Sequence, residues 1–333
     1  MRRRPIGSNW GEYGDDDQLG NLNLIDSRKV IEALAEVREG RTFTLSLPLD
    51  YPATGISTAR AAPRIEPIKT RHGPRYDHLL AKGYSDVVND DVVTLYPQYS
   101  TQWDAFCHIG GMFDGAGDGT EEASYYNGHR LMPPEGDDAD AFCRCIAGRP
   151  LGIERVATHG VQGRGVLVDW FAHHGIAKQM ITFDLLQQVM DRDNVQLERG
   201  DILCLRTGFA GLIRDAKGQV AFDDLRSLGA GLDGRDERLL QWISDTGIAA
   251  IAADNFSVEY LPSSPASGGG ISSGLPLHEH CLFKNGILLG ELWLLDDLAN
   301  HLRSVGRSRF LLTAPPLALR GASGSPVTPI ATV

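Results

Sequence analysis

Asp201-Ile202-Leu203-Cys204-Leu205-Arg206-Thr207-Gly208 places four apolar residues between a carboxylate and a polar turn. That is the pattern of a strand buried on both faces that releases a charged side chain at its carboxyl end. The same unit recurs outward in both directions. Upstream, Gly165-Val166-Leu167-Val168-Asp169 is an apolar run closed by a carboxylate, and downstream Ile248 to Ala253 is another, ending at Asp254-Asn255. Between these runs lie helical stretches, one from Thr182 or Asp184 through Met190 and one from Asp236 to Thr246, each opened by a residue able to cap it. Buried strands alternating with helices define an α/β architecture.

Further out the pattern loosens. Asp26 or Ser27 caps a helix over Arg28 to Arg38, with Gly40 as its stop, and Thr42 to Leu49 alternates as a half-buried strand does. Asn9-Trp10-Gly11 to Asn23 reads as an irregular loop. Residues 52–86 are rich in Pro, Ala, Arg and Gly without a period and read as a long loop or lid. Asp91 to Tyr96 then reads as a strand leading into Gln98–Gly111, and residues 114–140 are polar and Gly-rich again. No linker divides the chain. The expected organisation is one domain over 1–333, with an N-terminal arm and helix in about the first 40 residues. Gly268-Gly269-Gly270 lacks a following Lys-Ser/Thr and reads as a flexible loop.

Composition narrows the function classes. Thirty-two Lys and Arg against 43 Asp and Glu give a net charge of −11, which argues against a phosphate-backbone partner. No run approaches the roughly 18 apolar residues of a membrane span. Arg2-Arg3-Arg4 has no apolar stretch behind it, so it reads as a disordered terminus and not a secretory signal. Five cysteines, an odd count in a long chain, fit free thiols in a reducing cytoplasm. Cys143-Arg144-Cys145 has no second pair at zinc spacing and reads as no metal site.

The chemistry concentrates in Gln98-Tyr99-Ser100-Thr101-Gln102-Trp103-Asp104-Ala105-Phe106-Cys107-His108. On an extended backbone Gln102 and Asp104 face the same side. Two amide oxygens, a carboxylate and an imidazole could hold a divalent cation or a polar substrate. A second cluster, Leu277-His278-Glu279-His280, precedes Gly290-Glu291-Leu292-Trp293. Glu291 sits within an apolar stretch, where a carboxylate is costly unless paired, protonated or bound to a metal. On a strand His278 and His280 would share a face. On a helix they diverge and only one can join a site.

Thr101-Gln102-Trp103-Asp104 with His108, the Arg206-Thr207-Gly208 turn and Gly290-Glu291-Leu292-Trp293 resemble the cyclase family that includes bacterial kynurenine formamidase and isatin hydrolase. Asn9-Trp10-Gly11, Asp17-Gln18-Leu19-Gly20 and Gly324-Ser325-Pro326 resemble its longer members, so the likeness runs from about residue 9 to the C-terminus. The resemblance implies a swivelling β/β/α single domain with an N-terminal extension and long loops. It also implies a homodimer or homotetramer and a zinc or manganese site. The family's hydrolases carry His-x-Gly-Thr-His-x-Asp-x-Pro-x-His. Laid on this chain, Asp104 matches the Asp ligand, His108 the final, proton-handling His, Glu291 the downstream acid and His278 the downstream His. Gln98 and Gln102 stand where the family has its first two histidines, Ser100 where it has Gly, and Phe106 where it has Pro. Amide oxygen in place of imidazole weakens zinc binding and favours harder ions.

The resemblance thus implies a cytoplasmic hydrolase of a C–N or ester bond in a cyclic amide, lactone or N-acyl small molecule. Asp104, His278 and Glu291, joined by Gln102 and Gln98, are the expected ligands of Mn²⁺ or Zn²⁺, with His108, Asp104 and Glu291 as the catalytic groups. Trp103, Phe106 and Trp10 supply an aromatic wall, and Arg206 counts with them as substrate-binding. Two other readings stay open: a metal-free isomerase, dehydratase or cyclase using Asp104 and His108 as an acid–base pair, and a non-catalytic small-molecule binding protein. No nucleic-acid or membrane partner is expected.

Overall fold

The apolar runs form the centre of a mixed sheet. The computed structural model describes residues 3–55, 60–71, 73–131, 146–265 and 272–333. Cys143, Cys145 and Gly268-Gly269-Gly270 lie outside them. Among the described residues the sheet has nine strands: β1 (Thr42–Thr44), β2 (Gln102–Asp104), β3 (Gln162–Asp169), β4 (Ile202–Arg206), β5 (Ala250–Ala253), β6 (Leu288–Glu291), β7 (Arg309–Thr313), β8 (Gly324–Pro326) and β9 (Ile330–Thr332). Their order is β1-β9-β7-β3-β4-β5-β6-β2-β8. Strands β3 to β6 run parallel, and every outer pairing is antiparallel. Every residue of β4, β5 and β6 is buried, which is why these segments read as unbroken apolar runs instead of alternating ones.

The helices form where their caps stand. Helix α1 (Ser27–Leu34) begins at Asp26, whose side chain accepts from the Lys29 N–H at 2.8 Å, and it packs against β3. It ends four residues short of the expected Arg38. Helix α2 (Phe183–Arg192) packs on β3, α3 (Phe209–Asp215) follows β4, and α4 (Glu237–Thr246), capped by Asp236, packs on α2. The short α5 (Pro276–His278) runs into a π-type turn over Glu279–Lys284, and α6 (Asp296–Ser304) follows β6.

Three expectations change in three dimensions. From residue 3 onward the N-terminus is tied down: Arg3 pairs with Asp114 at 3.2 Å and its N–H donates to the Gly115 carbonyl. The stretch read as an irregular loop or lid is in part a projecting hairpin, with Arg64–Pro67 pairing Asp91–Thr94 and His78–Leu79 pairing Val87–Val88. Asp91–Thr94 is therefore a strand, as read, but of this hairpin and not of the main sheet. Its weak period reflects exposure on both faces, since alternation appears only where one face is buried.

Candidate active site

Strand register assembles the site. Gln102 lies opposite Glu291 across β2 and β6, and Asp104 lies two residues further along the same face. Trp103, between them, points the other way and meets Trp293 edge to face at 4.7 Å. Gly290 is required by this packing, because a Cβ there would sit 2.8 Å from both the Trp103 ring and Trp293 Nε1. The π-type turn closes over the face and α5 brings in His278. Its Nε2 lies 3.4 Å from Glu291 Oε1 and 3.7 Å from Asp104 Oδ2. Asp104, His278 and Glu291 are all buried, and one ligand atom from each lies within 4.8 Å of the others.

Three polar atoms here lack a partner. Both Asp104 oxygens and Gln102 Oε1 are buried without a hydrogen bond, while Gln102 Nε2 donates to Glu291 Oε2 at 2.9 Å. Buried acceptors left open in this way require an explanation, and an ion is one. The donor set of two carboxylates, one imidazole nitrogen and one amide oxygen is chemically suited to a divalent cation, with the oxygens favouring a harder ion than zinc.

Sequence reading missed a further carboxylate. Glu259 accepts from His278 Nδ1 at 2.6 Å and from the His278 backbone N–H at 3.0 Å, on the far side of the ring from Asp104 and Glu291. It thereby directs Nε2 at the triad and fixes the ring's orientation, as carboxylates behind metal-ligating histidines do. Nothing in Val258-Glu259-Tyr260 marks it, although Val258 itself carries a signal in three dimensions: its φ is +58°, unusual for a β-branched residue. Leu292, next to Glu291, has φ +54°. Asn255 holds the first of these turns by accepting from the Val258 N–H at 2.8 Å, and Asn255 O accepts from the Leu292 N–H at 2.9 Å. Strained backbone thus flanks two of the four acidic or basic groups packed here.

Burial and local charge set the protonation. Burial and the adjacent Asp104 charge push Glu291 up to about 7. Burial acts on Asp104 in the same direction, but the charges of His108 and His278 outweigh it and draw Asp104 below the usual carboxylate range. Burial would lower His278, yet the surrounding carboxylates of Asp104, Glu259 and Glu291 hold it well above the ordinary imidazole range. A cation at Nε2 would take the place of that proton, since ligation needs neutral imidazole. His108, partly exposed, lies 3.9 Å from Asp104 Oδ1, and burial keeps it below the ordinary range despite that carboxylate. It is neutral near pH 7 and able to accept a proton.

The remaining expected residues stand elsewhere. Gln98 donates to Ser323 Oγ at 2.9 Å. Trp103 and Phe106 are core residues, Phe106 packing on Tyr126. Trp10 donates to the Phe283 carbonyl at 2.8 Å and packs between Phe113 and Phe283. Arg206 is bound at the carboxyl end of β4 between Asp169 and Asp296, 2.7 Å from the latter, so its fork is already filled. In this structure these four side chains are engaged in packing and ion pairing. His280, diverging from His278 on the helical turn, meets Ser244 and Asn285.

A nine-stranded α/β sheet carries an Asp–His–Glu cluster at the end of β6 whose three groups could hold a metal ion. The sequence matches the family described as "Putative cyclase" over residues 43–260, and the chain belongs to that family. A crystal structure of a novel cyclase shares 30% identity over 98% of this chain and 97% of that one, with a TM-score of 0.76. Isatin hydrolase A from Labrenzia aggregata, bound to benzyl benzoate, superposes with a TM-score of 0.55 at 15% identity, over 92% of this chain and 98% of that one. An isatin hydrolase bound to the product analogue thioisatinate does so at 14% identity and the same TM-score, over 92% and 99%. The last two share the fold. No curated protein matches the sequence. Among the described residues no helix is long and apolar enough to cross a membrane.

Glu259→Gln provides a test of the orienting role. The amide keeps the side chain's size but not the charge behind the ring, so affinity for Mn²⁺ should fall about 10- to 100-fold. Competition with a fluorescent chelator reads this directly, and wild-type affinity in the variant would make Glu259 a structural residue only.

Proposed function

We propose that this chain hydrolyses a C–N or ester bond in a cyclic amide, lactone or N-acyl small molecule. A divalent cation, Mn²⁺ or Zn²⁺, is held by Asp104, His278 and Glu291, with Gln102 Oε1 as a further oxygen donor. The observation that carries the reading is the set of three open, buried acceptor atoms on Asp104 and Gln102, facing an imidazole that Glu259 orients. When bound, the cation supplies Lewis-acid polarisation of the carbonyl and a lowered water pKa. Asp104, His278 and Glu291 fix its position. His108, at the less buried edge, takes the proton from the attacking water at a ring nitrogen and returns it to the leaving nitrogen or oxygen. Membership of a family whose fold is shared with isatin hydrolases supports the substrate class.

The metal-free alternative uses Asp104 and His108 as an acid–base pair, with Gln102 free to bond substrate through the N–H it does not give to Glu291. The preference for the hydrolase rests on the open, buried acceptors of Asp104 and Gln102, which suit a cation. The test is elemental analysis of the purified protein followed by assay on isatin, simple lactones and N-formyl aromatic amines, with and without chelator. One equivalent of divalent ion and chelator-sensitive ring opening or deformylation are expected. Turnover of these compounds that survives complete removal of the ion would overturn the cation's part, and isomerisation without hydrolysis would overturn the reaction class.

A further inference from the structure

Residues that follow β4 and β5 line a cavity of about 560 Å³ that the chemistry above does not use. Phe209, Leu225, Leu228 and Phe256 give it apolar walls, and Tyr260 joins them. Its size falls in the ~300–1,000 Å³ range of small-molecule pockets, and open α/β sheets bind ligands in the crevice beyond their strands' carboxyl ends. None of Asp104, His108, His278 and Glu291 lines it, so a ligand here lies outside the catalytic cluster.

Charge defines the occupant. The wall carries two cations, Lys178 and Arg226, and one carboxylate, Glu259. Glu259 is buried and committed to the ring and backbone of His278. Lys178 Nζ donates to the Arg226 carbonyl at 2.7 Å and lies 5.4 Å from the centre of the Tyr260 ring. An ammonium has three donors, so this bond leaves capacity for an anion. Apolar walls beside cations, with no uncommitted carboxylate, suit a flat apolar body that ends in a carboxylate.

One wall of the cavity is the turn that orients His278. Asn255, Ser257 and Glu259 line the cavity, while the Glu259 carboxylate holds His278 Nδ1 at 2.6 Å. The strand Ala230–Leu232, whose first two residues also line the cavity, pins this turn. The Leu232 N–H donates to the Val258 carbonyl at 3.0 Å, the Tyr260 N–H to the Leu232 carbonyl at 2.9 Å, and Asn255 Nδ2 to the Ala230 carbonyl at 2.7 Å. Gly231 permits the close approach, because a Cβ there would sit 2.6 Å from the Glu259 carbonyl. A ligand that orders this wall therefore orders Glu259, and through it the aim of His278 Nε2.

We propose that this cavity is a second ligand site for a small aromatic carboxylate, its ring against Phe209 and Phe256 and its anion at Lys178, and that its occupancy strengthens cation binding at Asp104, His278 and Glu291. The linkage rests on the cation reading proposed above; the site itself does not.

Calorimetric titration of the full chain with 2-naphthoate, metal-free and loaded with Mn²⁺, provides the test. Metal-free wild type and Asp104→Ala should bind the probe alike, because the catalytic cluster takes no part. Lys178→Glu should weaken binding about tenfold or more, and so should exchange of the probe for neutral 2-naphthamide. Leu228→Trp, which fills the cavity, should abolish binding, and thermal melting checks that each variant is folded. Mn²⁺ should tighten naphthoate binding about fivefold and naphthoate should tighten Mn²⁺ binding by the same factor, since such coupling is reciprocal. No binding by wild type, binding lost in Asp104→Ala, or binding untouched by Lys178→Glu would each overturn the site. Naphthoate binding that leaves Mn²⁺ affinity unchanged would overturn the linkage alone. A chain that binds naphthoate but no Mn²⁺ would overturn the cation reading and the linkage with it, while the site stands.

Discussion

Asp104→Ala should abolish both cation binding and turnover. Loss of a ligand that also carries the cluster's lowest carboxylate pKa leaves His278 and Glu291 alone at the locus. A Lewis-acid cation contributes several kcal/mol, and each ~1.4 kcal/mol is tenfold, so turnover should fall by about 10³ or more. The same change removes the like charge that, with burial, raises Glu291. Asp104 nevertheless sits below the usual carboxylate range, so the fold favours its charge beside His108 and His278, and the metal-free variant should melt below metal-free wild type. Calorimetry and metal content measured on the same preparation decide it. A variant that still binds one equivalent of Mn²⁺ would place the cation elsewhere.

His108→Ala should separate proton transfer from cation binding. His108 lies at 3.9 Å from Asp104 and is not among the three groups that converge at ligand distance. Its backbone N–H donates to the Ala105 carbonyl at 2.8 Å, a bond the alanine keeps, so the turn after β2 survives. Turnover should drop about 10²- to 10⁴-fold with bound metal unchanged and stability within roughly 1 kcal/mol. Normal turnover in a correctly folded variant would make His108 a structural residue. If metal is lost as well, His108 is a ligand and not the proton carrier.

Much of the site was readable because alternation is a local rule. Gln102 and Asp104 share a face for the same reason that Trp103 does not, and no tertiary knowledge is needed to see it. Glu291 was legible as a carboxylate stranded among apolar neighbours. His278 against His280 was readable only as a fork, strand or helix, and the helical turn decided it. Trp10, Trp103, Phe106 and Arg206 were ambiguous for one shared reason. Aromatic rings and guanidinium groups serve cores and ion pairs as readily as substrates, and a sequence does not say which partners are already within reach. For Arg206 those partners are Asp169, 37 residues upstream, and Asp296, 90 downstream.

The chain's local patterns were enough for the α/β class, the buried parallel strands β3 to β5, the capped helices and the candidate chemistry of Asp104, His108, His278 and Glu291. Each of these depends on periodicity, a cap or an unusual polar residue within a few positions. The tertiary structure alone decided that Glu259 stands behind His278, that Gln102 spends its amide N–H on Glu291, and that the unpatterned stretch after residue 60 projects as a hairpin. Those outcomes depend on which strand lies beside which and on how far each face is covered. Register and burial are properties of the assembled sheet, set by contacts between segments tens to hundreds of residues apart, and no short window of sequence contains them.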